Sequence, residues 1–179
     1  MATAEQRPTL TIRPARADDA PALREIFNDA VEDGLTTFES ALRSVDEQKL
    51  LIAAAERDSR RPLLVAELRN WVCGVVSIQS YAEAIHRGEI AEITIFVRRS
   101  FRSYGIGRQL MRAAQAEAAR LGYRKLIGHV LSDNEESLQL CKATGWLLVG
   151  VHQRHARHGS RLRDVTVVEY LLTPLVEAD

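Results

Sequence analysis

Apolar and polar positions along this chain follow two periods, one of helices and one of strands. Thr9 to Arg13 reads as a first strand. The stretch "ADDAPALREIFNDAVEDG" then places Leu23, Ile26, Phe27, Ala30 and Val31 at helical spacing behind acidic residues in its first turn. A polar link, "GLTTFESALRSV", carries no regular period, and a second helix is predicted from Asp46 to about Arg57. Pro62 to Leu68 and Trp71 to Tyr81 read as strands joined by a short turn at Arg69-Asn70, and Glu89 to Val97 reads as a third, together an antiparallel meander. From about Gly105 to Leu121, Ile106, Leu110, Ala113, Ala114 and Leu121 line one helical face, and Gly122 is placed to stop it. "YRKLIGHVL", Tyr123 to Leu131, is a strand. A last helix is predicted in "SDNEESLQLCKATGW", where Ser132 and Glu135 have capping-box spacing and Gly145 ends the run. Two strands follow, Trp146 to His152 and Asp164 to Leu172.

This order has no internal repeat or interdomain linker. It implies a single α/β (α+β) domain over residues 1–179, with a core at about 9–173. Its sheet is mixed, mostly antiparallel and flanked by helices, with one β-α-β unit from Glu89 to Leu131. Composition agrees: 46% hydrophobic and 27% charged residues describe a soluble globular chain. Lys plus Arg is 24 and Asp plus Glu is 24, so the broad positive field of a non-specific nucleic-acid binder is absent, and no nucleic-acid partner is expected. Cys73 and Cys141 stand in no CxxC spacing, which gives no support to a disulfide framework or zinc finger. No apolar run is long enough to cross a bilayer and "MATAEQRPTLTIRP" has no apolar signal core. A cytoplasmic protein without a membrane partner is expected.

The charge is local. In "VRRSFRSYGIGRQLMRAA" five arginines fall between Arg98 and Arg112 without an acid, where a strand gives way to a helix. A helix start leaves backbone N–H groups without partners and favours an anion, and glycine lets the backbone approach a ligand closely. Arg102, Ser103, Tyr104, Gly105, Ile106 and Gly107 therefore suit a nest for phosphate oxygens, with the arginines adding charge. The other reading is a tight turn with a solvated arginine face. There is no GxxxxGK[ST], and Leu110 stands where GxGxxG has its third glycine. Along "EIAEITIFV", Ala91, Ile93, Ile95 and Val97 form an apolar face, whereas Ile90, Glu92, Thr94 and Phe96 form a half-polar one. Glu92 thus suits a base that deprotonates an ammonium, or a structural ion pair. "HQRHARHGSRLR" gathers His152, His155 and His158 with four arginines. On a strand or loop those rings need not converge, and no metal site is expected; an anion contact, an interface or a solvated loop are the readings that stand.

Arg102-x-x-Gly105-x-Gly107, between a strand and a helix, resembles the Q/R-x-x-G-x-G/A signature of the GNAT acetyltransferases. "IRPARADDAPALREIFNDAV", "TTF", "AEITIFV", "NEESLQL" followed by "GW", and "RDV" resemble the phosphinothricin and methionine sulfoximine branch, from about Leu10 to Leu172. The resemblance implies acetyl-CoA as co-substrate. Backbone groups of Ile95, Phe96 and Val97 would meet its pantetheine arm where this strand splays from the next, and those of residues 102–107 its pyrophosphate. Asn134 matches an asparagine that reaches the cofactor arm, and Glu92 matches the catalytic glutamate. Cys141 stands where many members have a tyrosine acid and this branch often a histidine. Its thiol is either a proton donor to the departing sulfur or a packed side chain. Thr37 and Phe38 match the loop beside the acceptor, and Tyr81 falls where an aromatic residue borders its pocket. His158 stands at a usual lysine, Leu162 at a usual tryptophan, and residues 82–87 depart from the branch. The implied reaction is transfer of acetyl to the primary amine of an amino acid or its analogue by a homodimer. Another amine class, or a non-catalytic CoA- or RNA-binding module, are the alternatives.

Overall fold

The computed structural model describes residues 9–34, 38–81, 88–158 and 160–172, with His158 described by its backbone alone. These residues form one seven-stranded sheet: β1 (Leu10–Pro14), β2 (Leu63–Leu68), β3 (Trp71–Ser80), β4 (Ile90–Val97), β5 (Lys125–Leu131), β6 (Leu147–His158) and β7 (Arg161–Leu171). The strand order is β1-β2-β3-β4-β5-β7-β6. Every neighbouring pair is antiparallel except β4 and β5, which the crossover helix makes parallel. The hairpin between β2 and β3 turns at Arg69 and Asn70, both with positive φ, 51° and 65°.

Helices α1 (Ala20–Asp33) and α2 (Val45–Arg57) cover one face of the sheet, and α3 (Ile106–Arg120) and α4 (Glu135–Ala143) the other. The period-two alternation decides which residues meet which layer. Val65, Val75 and Phe96 pack with Leu23, Ile26 and Ile52 under α1 and α2. Ala66, Val76, Ala91 and Ile93 pack with Ile106, Leu110, Met111 and Ala114 under α3. Near the β1 edge the Arg13 guanidinium holds Asp19 and Glu67 together, at 2.7 Å and 2.6 Å.

Two expectations are corrected. Ser132 does not cap α4. Its hydroxyl pairs with Thr166 on β7 at 2.8 Å, and the Asn134 side-chain oxygen instead accepts the Ser137 N–H at 3.0 Å. The last two strands are longer than their apolar stretches, because β6 and β7 continue as a hairpin through the basic segment, with a register shift between His152 and Ala156. Among the described residues no helix is long and apolar enough to cross a membrane.

Candidate active site

The parallel pair at the middle of the sheet is brief. Ile90, Ala91 and Glu92 oppose Lys125, Leu126 and Ile127, and beyond Glu92 the two strands part. β4 stays with β3 as far as Val97, while β5 stays with β7 as far as Leu131. The wedge between them opens a cleft of about 520 Å³ whose walls come from both faces of the sheet. Phe27, Phe38 and Arg43 stand on one side, Met111, Cys141 and Trp146 on the other.

Glu92 occupies the last paired position and lines the cleft. Two residues beyond its partner Ile127, and so on the same face of the sheet, His129 projects from β5 and brings Nδ1 to 2.8 Å from the Glu92 Oε1. An ionised carboxylate only accepts, so this contact puts a proton on Nδ1 and, in the neutral ring, leaves the lone pair on Nε2. Ile95, Phe96 and Asn134 also line the cleft. The Trp146 indole N–H, buried in the same wall, has no hydrogen-bond partner among the described residues. At the far end Asn28 receives the Arg43 N–H at 2.9 Å and donates to its carbonyl at 3.1 Å. The Arg43 guanidinium lies 3.8 Å from the centre of the Phe27 ring.

Past Val97, a turn of 3-10 helix (99–101) leads to Ser103 and Gly105, with φ of 66° and 78°. No side chain caps α3 at Gly105, and the first bond into the helix runs from the Gln109 N–H to the Gly105 carbonyl. The N–H groups of Ile106, Gly107 and Arg108 thus have no partner within the helix, a donor set that fits phosphate oxygens. Gly107 has another reason: a β-carbon there would lie 3.1 Å from Leu140 Cδ2 and 3.7 Å from Val97 Cγ2, so glycine lets α3 pack on α4 and β4.

The expected arginine collar is corrected in part. Arg98 pairs with Glu25, while Arg99 and Arg102 both reach Asp33, each at 2.6 Å. Burial pushes the Asp33 carboxyl up, but the two guanidinium groups outweigh it and hold the group below its usual range. These three cations clamp the turn onto α1. Arg108 and Arg112 have no ion pair among the described residues.

Cys141 lines the cleft but is 5% exposed, and burial pushes its thiol up to about 11. Tyr81 ends next to β3, giving its N–H to the Ile90 carbonyl at 3.0 Å, and is not among the cleft-lining side chains. Thr37 and the His158 side chain lie outside the described residues. The His152 and His155 rings stack at 4.8 Å, and among the described residues no group of three potential ligands is gathered for a metal. The sequence reading missed His129, Arg43 and Trp146. Parity along β5 puts His129 on one face with Ile127, but only the β4-β5 register reveals that this is the Glu92 face.

The sheet thus splits at its short parallel pair, with a carboxylate–imidazole contact at the fork and amides without helical partners past the end of β4. The profile of the Acetyltransferase (GNAT) family matches residues 21–146, and the chain belongs to this family. It is 26% identical over 164 residues to the L-methionine sulfoximine/L-methionine sulfone acetyltransferase of Salmonella typhimurium, covering 91% of this chain and 95% of that one. With the phosphinothricin N-acetyltransferase of Alcaligenes faecalis it shares 29% identity over 142 residues, 79% of this chain and 72% of the relative. A phosphinothricin acetyltransferase from Sinorhizobium meliloti, solved in complex with AcCoA, has the same fold. Its TM-score is 0.86 at 24% identity, over 96% of this chain and 92% of that chain.

Proposed function

We propose that this protein transfers the acetyl group of acetyl-CoA to the primary amine of an amino acid or amino-acid analogue of the phosphinothricin and methionine sulfoximine type. The observation that carries this reading is the Glu92–His129 pair at the point where β4 and β5 part. An ammonium nitrogen has no lone pair with which to attack a thioester. A positioned base supplies one, and such a group contributes about 10²–10⁴-fold. An α-amino group, with a reference pKa of about 7.7–8.0, needs only a modest base. Acetyl-CoA supplies the activated acyl group. The backbone of residues 102–107 would hold its pyrophosphate, and Ile95, Phe96 and Val97 its arm along the unpaired edge of β4. Arg43, Phe38 and Gln48 form the acceptor end, where a cation on an aromatic base suits an amino acid's carboxylate. The names of the relatives support the acceptor class.

The working unit we propose is a homodimer that buries the apolar outer edge of β6. The test of the activity is release of CoA thiol with a panel of amino acids, phosphinothricin, methionine sulfoximine, a polyamine, an aminoglycoside and an N-terminal peptide. Turnover fastest with the amino-acid group is expected. Saturable acetyl-CoA binding with no turnover on any amine would overturn the reading.

A further inference from the structure

We propose that His129 Nε2 is the atom that takes the proton from the acceptor amine, and that Glu92 is a positioning residue which fixes the ring and balances the charge it acquires. This rests on the acetyl-transfer reading and assigns the base within it. Three observations support the assignment. The carboxylate occupies Nδ1, which forces the tautomer whose free lone pair is on Nε2. His129 is carried by a strand that β7 pairs on its other side, opposite Val167. Its side chain is 20% exposed and lines the cleft, enclosed yet within reach of a ligand, whereas Glu92 at 38% spends one oxygen on the ring.

In the proposed step the ammonium nitrogen gives a proton to Nε2, and the ring becomes an imidazolium beside the Glu92 carboxylate. The freed nitrogen lone pair forms the bond to the acyl carbon while the carbon–sulfur bond breaks, and that electron pair leaves on sulfur. The nitrogen's surplus proton ends on the sulfur, and the proton on Nε2 returns to solvent. An ammonium and a thioester thus yield an amide, a thiol and one proton. The arrangement of carboxylate, Nδ1–H and free Nε2 has the logic of a histidine oriented by an acid in hydrolytic triads, here without a nucleophilic side chain. The other titratable and charged groups lining the same cleft are Glu39 and Arg43, and Asp58 and Arg61, each couple joined by an ion pair, with Cys141 on its other side; on the strands themselves Lys125 of β5 pairs with Glu169 of β7.

Two measurements test this. In the free protein, the ¹⁵N shifts of the neutral His129 ring should report a proton on Nδ1 and a bare Nε2. The reverse tautomer would overturn the proposal. In steady-state kinetics, His129→Gln should lose about 10²–10⁴-fold in kcat at unchanged acetyl-CoA affinity. The pH profile of this variant should follow deprotonation of the acceptor amine alone, and His129→Ala should regain rate with added imidazole. Glu92→Gln should keep the acidic limb but displace it. If His129→Gln and His129→Ala both stay within about threefold of the parent with the same pH profile, His129 is structural and only this proposal falls. A parent protein that binds acetyl-CoA but turns over no amine would remove the acetyl-transfer reading itself.

Discussion

Cys141 shows how a side chain's position and its chemistry separate. Its place on α4 follows from the predicted helix and its place beside the cleft from the family resemblance, but its ionisation follows from how completely Met111, Trp146 and their neighbours enclose it, which no local pattern encodes. With the thiol pushed up to about 11 by burial, the sulfur is protonated at neutral pH and is a poor nucleophile. Cys141→Ala is therefore expected to keep kcat within about threefold and to cost about 1 kcal/mol in denaturant melts, as a small cavity does. A loss beyond about a hundredfold in kcat, with acetyl-CoA affinity intact, would instead make the thiol a proton donor. His129 fails to stand out in the sequence for the complementary reason. "KLIGHVL" reads as an ordinary strand, and the meaning of its histidine comes from a partner 37 residues earlier in the chain.

The start of α3 separates two glycines that look alike in the motif. Gly105 sits at φ 78° with nothing within 4 Å of a built β-carbon, so its requirement is backbone conformation alone; Gly107 has ordinary φ and a crowded β-carbon position. An L-residue in the left-handed region costs roughly 1–2 kcal/mol. Gly105→Ala is therefore expected to destabilise the fold by about that much and, by turning the amides of residues 106–108 off their common direction, to weaken acetyl-CoA binding at least about tenfold by calorimetry. Unchanged affinity would show that the nest is not the phosphate site. At this scale the sequence was informative wherever an element carries its own period: α2, α3 and the β2-β3-β4 meander fall within a residue of their expected ends, and α1 begins three residues into its expected stretch, after a 3-10 turn at Ala17–Asp19. It was uninformative where the partner decides. Thr166 draws Ser132 away from the cap of α4, and pairing with β7 extends β6 through a segment rich in arginine and histidine. The arginines of the turn were visible as a cluster, but their acids lie on α1, about 70 residues away in sequence, so their role as a clamp was not.

For the molecule as a whole the sheet has two edges, and they differ. β1 is tied down by Arg13 with Asp19 and Glu67, whereas β6 exposes Leu147, Leu148, Val149 and Val151 at 57%, 64%, 58% and 51%. Consecutive strand residues point to opposite faces, so three exposed apolar neighbours in a row mean that neither face of this edge is covered by a helix of the described residues. An apolar edge that no other strand of the described residues pairs invites a partner strand. In the proposed homodimer a second copy related by a two-fold axis would meet it with the same residues and close the assembly. Each 100 Å² of apolar surface so removed from water contributes about 2.5 kcal/mol before the cost of association. The expected mass by light scattering at micromolar concentration is therefore that of a dimer, and Leu148→Lys combined with Val149→Lys should return it to a monomer. β7 separates this edge from β5, so the monomeric variant should bind acetyl-CoA with unchanged affinity. A parent protein that is monomeric at 100-fold higher concentration would leave the β6 edge without the partner proposed for it.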